Sequence, residues 1–260
     1  MCLVLMCAHA HPKFPFIVLS NRDEYYLRSK DDGGLTIDES GVICSLVQCQ
    51  DELGTWMGLN SSSGTFVTVT NIDGHFLEGS RELSRGILVR EMLKDPEGVA
   101  AQKLLSQPKK FPGYNLLWCN IKHLGSLPWH YSNCDLSEVR PKQVVAQNHQ
   151  GCCSTLVAMG NDILGDEHVK CNFVQKEVAS LLESQELKDF NGTAEEMRDR
   201  LITVFNTNMP KTSFLALLGK FLRFGTRRRV QPGLWFGLAA LLPTAAAALA
   251  ALLVRRCRWP

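Results

Sequence analysis

The chain has 260 residues, enough for one large domain or two small ones and for a substantial core. Hydrophobic residues make up 45% and charged residues 21%, a globular balance that excludes a disordered chain, a collagen-like chain and a polytopic membrane protein. The net charge of +2 points by itself to no strong electrostatic partner.

In chain order, the first half reads as strands and turns. Cys2–Met6 and Phe14–Leu19 are apolar runs, the second ending in the polar cluster Ser20-Asn21-Arg22-Asp23-Glu24. Val42–Val47 and Thr55–Leu59 are further strand candidates, and Thr65–Thr70, with Phe66, Val67 and Val69, follows a Ser-rich turn. The short connections within the first and last of these pairs predict antiparallel pairing. A helix is expected over Ser80–Lys94, where Leu83, Ile87, Leu88, Val89 and Met92 fall near helical spacing and Pro96 stops the run. Tyr114–Ile121, Pro128–Tyr131 and Ser154–Met159 read as strands. His168–Leu182 reads as an amphipathic helix, and Thr193 with Glu196 forms a capping box ahead of Met197–Phe205. No internal repeat or long linker interrupts the chain before about residue 206. Strands, helices and strands in this order predict an α+β protein with helices stacked on antiparallel sheet.

The C-terminal end differs in character. Residues 221–260 carry seven arginines, no lysine and no acid, which leaves 21 basic against 26 acidic side chains in residues 1–220. A mildly acidic body thus precedes a basic, apolar tail, a split that marks the tail as the segment to contact a membrane or nucleic acid. Gly233–Val254 is uncharged and long enough to span a bilayer as a helix, flanked by Arg227-Arg228-Arg229 and Arg255-Arg256-Cys257-Arg258. Two readings of it stand side by side: a C-terminal membrane anchor, kinked at Pro243, or the end of an alternatively spliced or frameshifted coding sequence. Its arginines flank an apolar span without interleaved aromatics, so no nucleic-acid partner is expected.

Ten cysteines are present and none forms a Cys-x-x-Cys pair, which argues against a zinc knuckle or a thioredoxin-type site. The N-terminal apolar run lacks a basic start and is broken by His9, His11 and Lys13, so no signal peptide is expected. Reduced thiols in a cytosolic or organellar compartment follow, and the sequon Asn191-Gly192-Thr193 is read as incidental.

Cys2 stands apart because removal of Met1 would place its thiol and its own α-amine on one residue. An α-amine titrates near about 7.7–8.0, so it serves as a base for the adjacent thiol without a second residue. In a hairpin, the end of the second strand returns beside the start of the first, which sets Arg22 and Asp23 next to Cys2. Arg22 would stabilise a thiolate, Asp23 would accept a hydrogen bond from the α-ammonium, and Glu24 would support them. The plainer alternative for the same four residues is a solvated polar turn.

Met1-Cys2, Asn21-Arg22-Asp23-Glu24, Gly54-Thr55-Trp56-Met57-Gly58, Thr70-Asn71 and Ser84-Arg85-Gly86-Ile87-Leu88-Val89 follow one another as in the Transport and Golgi organisation 2 family, whose members carry the NRDE motif. Gly113-Tyr114-Asn115-Leu116, Gly160-Asn161 and Gly225-Thr226-Arg227 are similar to its later landmarks, so the resemblance covers residues 1 to about 227. It implies an Ntn-hydrolase-like αββα sandwich with Cys2 at a strand start. It further implies a site in which Cys2 is the nucleophile, Arg22 and Asp23 tune it, Asn71 and Asn161 donate to a developing oxyanion, and Arg227 completes the polar set. Trp56 reads as core packing.

After Gly225-Thr226-Arg227 no alternating strand pattern remains, and Pro232 argues against one. The expected organisation is therefore a domain over 1–227, incomplete at its C-terminus, and a divergent tail over 228–260 with the membrane segment 233–254. The resemblance implies roles in haem trafficking, acyl-CoA or lipid homeostasis and Golgi–ER organisation, at cytosolic, mitochondrial or Golgi locations. Asn21, Arg22, Asp23 and Glu24 would hold the cargo, with haem or an acyl-CoA as its two forms and no required cofactor. The alternative is an N-terminal-cysteine amidohydrolase or acyltransferase. Of the histidines, only the pair His9 and His11 is spaced for one strand face; His75, His123, His130, His149 and His168 are scattered, and no metal site is expected.

Overall fold

The computed structural model describes residues 2–25, 35–38, 41–45, 47–49, 52–72, 83–107, 110–126, 129–134, 142–144, 147–148, 155–162, 164, 169–206 and 230–239. Two antiparallel sheets face each other. The first is five-stranded. At its centre β1 (Leu3–Ala8) lies between β2 (Phe16–Tyr25) and β13 (Thr155–Met159), with β12 (Gln147–Asn148) and β14 (Val230–Ala239) at the edges. The second has seven strands in the order β11 (Lys142–Val144), β10 (Trp129–Asn133), β9 (Tyr114–Asn120), β8 (Thr65–Asn71), β7 (Met57–Asn60), β4 (Val42–Ser45) and β3 (Leu35–Ile37). A separate hairpin pairs β5 (Val47–Cys49) with β6 (Glu52–Gly54).

Strand alternation explains the layers. Val4, Met6 and Ala8 of β1 join Phe16, Val18, Phe66, Leu117, Trp129 and Met159 in a core between the sheets. Leu3, Leu5 and Cys7 point the other way, onto α3 (Val169–Glu183), α4 (Gln185–Lys188) and α5 (Ala194–Asn206). On the far side of the second sheet, Val67, Val69, Leu116 and Trp118 pack against α1 (Arg85–Lys94) and α2 (Val99–Leu105). β1 is covered on both faces, which is why its sequence is an uninterrupted apolar run rather than an alternating one. The result is an αββα sandwich.

Local signals hold at the helices. Ser84 caps α1, its side chain accepting from the Gly86 N–H. The Thr193–Glu196 capping box closes in both directions, at 2.8 and 3.3 Å, and begins α5 at Ala194. Gly54 and Gly86 meet backbone to backbone: a Cβ on Gly54 would stand 2.9 Å from the Gly86 Cα, so two glycines let α1 lie directly on β6. The short helix α2 escapes the sequence reading because seven residues present too few turns for a periodic stripe.

Two expectations are corrected. Asn21-Arg22-Asp23-Glu24 is not a turn but part of β2, which runs on to Tyr25. The strand continues past the start of β1 because β14 pairs along its full length, from Val230 opposite Tyr25 to Ala239 opposite Phe16. The same pairing shows that a strand does follow residue 227, and that 233–239 of the proposed membrane segment lie in a sheet. Pro232 is tolerated because β14 is an edge strand, where a missing N–H need not break a ladder. Among the described residues no helix is long and apolar enough to cross a membrane, and 240–254 lie outside them.

His11 gives the fold a pH dependence. In the β1–β2 connection its ring is buried, stacks on Phe14 at 5.6 Å and meets Phe190 edge-on at 6.3 Å, while Nδ1 accepts from the Lys13 N–H. Burial is the main influence and lowers its pKa below the ordinary 6.5. The unfolded chain then binds the extra proton more readily. Stability is fully present above pH 6.5 and is lost as the pH falls through the depressed folded value. A His11→Phe variant is expected to show a flatter urea midpoint below that pH than the wild type, and an unchanged acid slope would contradict this account.

Candidate functional site

One end of the sandwich gathers the head of β1, the end of β13 and the first turn of α3. Cys2 sits half-buried immediately before β1. Leu3 pairs with Asn21, and the buried Ser20 hydroxyl donates to the Leu3 carbonyl at 3.3 Å, so the backbone of Arg22 and Asp23 passes beside Cys2. On the other flank Val4 pairs with Met159, and the chain turns away through Gly160, Asn161 and Asp162. Asn161 is buried, 6% exposed. A Cβ on Gly160 would stand 3.0 Å from the Cys171 Sγ and 4.0 Å from the Cys2 carbonyl oxygen, so a glycine lets the first turn of α3 approach the head of β1.

A buried polar network fixes this turn to the second sheet. The Thr70 hydroxyl donates to the Gly160 carbonyl at 2.6 Å. Asn115 Nδ2 lies 2.8 Å from the Asp162 carbonyl and 3.3 Å from both the Gly160 carbonyl and the Thr70 Oγ1. The Tyr131 hydroxyl donates to Asn115 Oδ1 at 2.6 Å and accepts from Asn133 Nδ2 at 2.9 Å and the Leu164 N–H at 3.2 Å. Low local dielectric strengthens such a chain of bonds while making each member costly to lose.

Burial lowers the Lys170 pKa below its ordinary value, and the neighbouring Cys171 and Cys2 sulfurs oppose the shift. The Cys171 thiol is pushed up to about 11, first by burial and then by Asp162, with Lys170 acting against both.

Of the residues singled out in the sequence, Cys2, the backbone of Asn21–Glu24 and Asn161 come together here. Asn71 ends β8 opposite Tyr114, on the strand parity of Val67 and Val69 that faces α1 and α2; Thr70 holds the inter-sheet position instead. Arg227 lies outside the described residues. His9 and His11 flank the far end of β1, and among the described residues no three His, Cys, Asp or Glu side chains gather as a metal-holding group. Among the described residues, Cys2, Cys7, Cys44, Cys119, Cys134 and Cys171 form no disulfide.

Sequence reasoning did not single out Tyr131, Lys170 and Cys171 for this end, and Thr70 stood in the Thr70-Asn71 landmark without a role of its own. Asn115 stood in a quoted landmark without a role. A polar pair, Tyr131 and Asn133, at alternate positions of β10 was the available signal for the network. Nothing local marks Lys170, whose place depends on how α3 docks.

An αββα sandwich with a cysteine at the head of a central strand defines the class of protein. The family model for Transport and Golgi organisation 2 matches residues 1–223, and the chain belongs to that family. No curated protein matches it. Among solved structures, a mutant conjugated bile acid hydrolase from Clostridium perfringens is similar, at 8% identity and a TM-score of 0.42, over 100% of this chain and 97% of that one.

Proposed function

We propose that the chain is an intracellular haem- or acyl-CoA/lipid-handling protein of the NRDE family, receiving an anionic cargo at the end of the sandwich where Cys2 meets Asn21–Glu24. The supporting observation is the register of Leu3 opposite Asn21, which brings two motifs twenty residues apart in sequence to one strand end. A guanidinium at position 22 suits a propionate or phosphate, which it binds bidentately. Haem trafficking, lipid homeostasis and Golgi or mitochondrial association belong to this reading. Titration of the full chain with haem and with palmitoyl-CoA tests it: replacing Asn21, Arg22, Asp23 and Glu24 together by alanine is expected to weaken binding at least tenfold, and unchanged affinity would refute this site.

A second reading is favoured by the half-buried Cys2 at the head of β1, flanked by the backbone of Asn21–Glu24. Cys2 is then the nucleophile of an amidohydrolase or acyltransferase. Mass spectrometry of the purified chain after an acyl probe decides it: acylation centred on Cys2 supports the reading, and equal labelling of Cys134 refutes it.

A further inference from the structure

We propose that β14 belongs to the cargo site as its positioning strand: its backbone holds Arg22 and Glu24 in place, so cargo affinity depends on Gln231, Pro232 and Gly233 of the C-terminal tail. This rests on the cargo reading above and adds to it an element some two hundred residues away in the chain.

The ladder register carries the argument. β1 pairs with β2 from Ala8 opposite Phe16 to Leu3 opposite Asn21, and its ladder ends there. β14 pairs with β2 from Ala239 opposite Phe16 to Val230 opposite Tyr25. Among the described residues, Arg22, Asp23, Glu24 and Tyr25 therefore have ladder partners in β14 alone. Aspartate and charged residues in general are poor strand formers, so composition does not keep this run extended. Gly233, Pro232 and Gln231 stand opposite Arg22, Asp23 and Glu24 and do so instead.

Two observations agree on the backbone groups involved. Along an antiparallel strand, successive residues direct their N–H and C=O to alternate sides. The Ala10 N–H donates to the Pro15 carbonyl at 3.4 Å, so Pro15, one residue ahead of β2, directs its backbone towards the β1 side. Odd-numbered residues of β2 follow it, and even-numbered ones, Arg22 and Glu24 among them, turn to β14. Their opposite numbers are Gly233 and Gln231. Pro232, opposite Asp23, then has its nitrogen on the outer edge of the sheet, where a missing N–H breaks no bond of the ladder. A proline at 231 or 233 would break one.

The consequence for binding is preorganisation. A residue already fixed in the ladder does not have its backbone ordered at the expense of cargo affinity, whereas a freed one does. β14 follows residues 1–223, the part that the family shares, so this contribution comes from the segment whose composition suggests an anchor or a divergent end.

The full-length chain serves for every measurement. Hydrogen exchange of the wild type, resolved by residue, is expected to show the Arg22 and Glu24 amides slowed at least about a hundredfold relative to an unpaired chain. Exchange at the unpaired rate overturns the proposal without any variant. Gly233→Pro removes the N–H that faces Arg22, and Leu234→Pro removes one that faces outward. Gly233→Pro is expected to speed exchange at Arg22 and to weaken haem binding about fivefold, and Leu234→Pro to stay within about twofold of wild type in both. Equal haem affinities in the two proline variants overturn the proposal. Faster exchange in Gly233→Pro with wild-type affinity also overturns it and leaves the cargo site standing. A wild type that binds neither haem nor palmitoyl-CoA refutes the cargo site and this inference together.

Discussion

Asn115→Ala is expected to destabilise the protein by about 3 kcal/mol and to loosen the turn that carries Asn161. Asn115 is fully buried and sits at the centre of the network between the two sheets. Its amide faces Thr70 Oγ1 and the carbonyls of Gly160 and Asp162, and its oxygen receives the Tyr131 hydroxyl at 2.6 Å. Truncation leaves the Tyr131 donor without that acceptor and the Asp162 carbonyl without that donor, while the Gly160 carbonyl keeps Thr70. Each buried polar group left unmatched costs about 1–3 kcal/mol, and two are affected. Urea unfolding measures the loss, and a change below about 1 kcal/mol would show that water or relaxation replaces the amide. Faster amide exchange at Asn161 and Asp162 is expected in the same variant, because their turn is held to the second sheet through Asn115.

Trp129→Ala is expected to cost about 3–5 kcal/mol, the range for emptying a large aromatic site in a core. Trp129 is 0% exposed and lies in the inter-sheet core, with its ring 6.1 Å from Phe16, which in turn meets Phe66 edge-on at 5.4 Å. The sheets are held apart by other residues, so the void collapses only in part. Among the described residues, the buried indole N–H has no hydrogen-bond partner. Trp129→Phe removes that unmatched donor along with some volume and is expected to cost less than half as much. Equal losses in the two variants would mean that the indole nitrogen contributes a bond of its own. Because Trp129 and Phe16 touch, a Phe16→Leu/Trp129→Ala double variant is expected to be less destabilised than the sum of its parts.

The elements were legible where one physical cause dominates. The capping box at Thr193 and Glu196 is a local exchange of hydrogen bonds, and α5 begins beside it. β1, β8, β9 and β13 stand within two residues of their sequence bounds, because their apolar, aromatic and β-branched runs suit strands covered on both faces. Polar composition misled at β2: Asn21–Tyr25 looks like the end of a strand, yet the ladder from β14 supplies backbone partners that override the composition. The same remote pairing explains why Pro232 and the Leu- and Ala-rich residues after it read as the end of the domain.

Within the candidate site, the sequence by itself determined which residues are chemically capable: a cysteine beside the initiator methionine, a charged NRDE run and an asparagine after a glycine. These are properties of side chains and of their order. Only the tertiary structure decided which of them meet. Register sets Leu3 opposite Asn21, strand parity gives the inter-sheet position to Thr70 rather than Asn71, and the docking of α3 across Gly160 brings Cys171 to the head of β1. Residues some 170 positions apart carry no mutual signal in a single sequence, because their proximity is a sum of packing choices made throughout the sandwich.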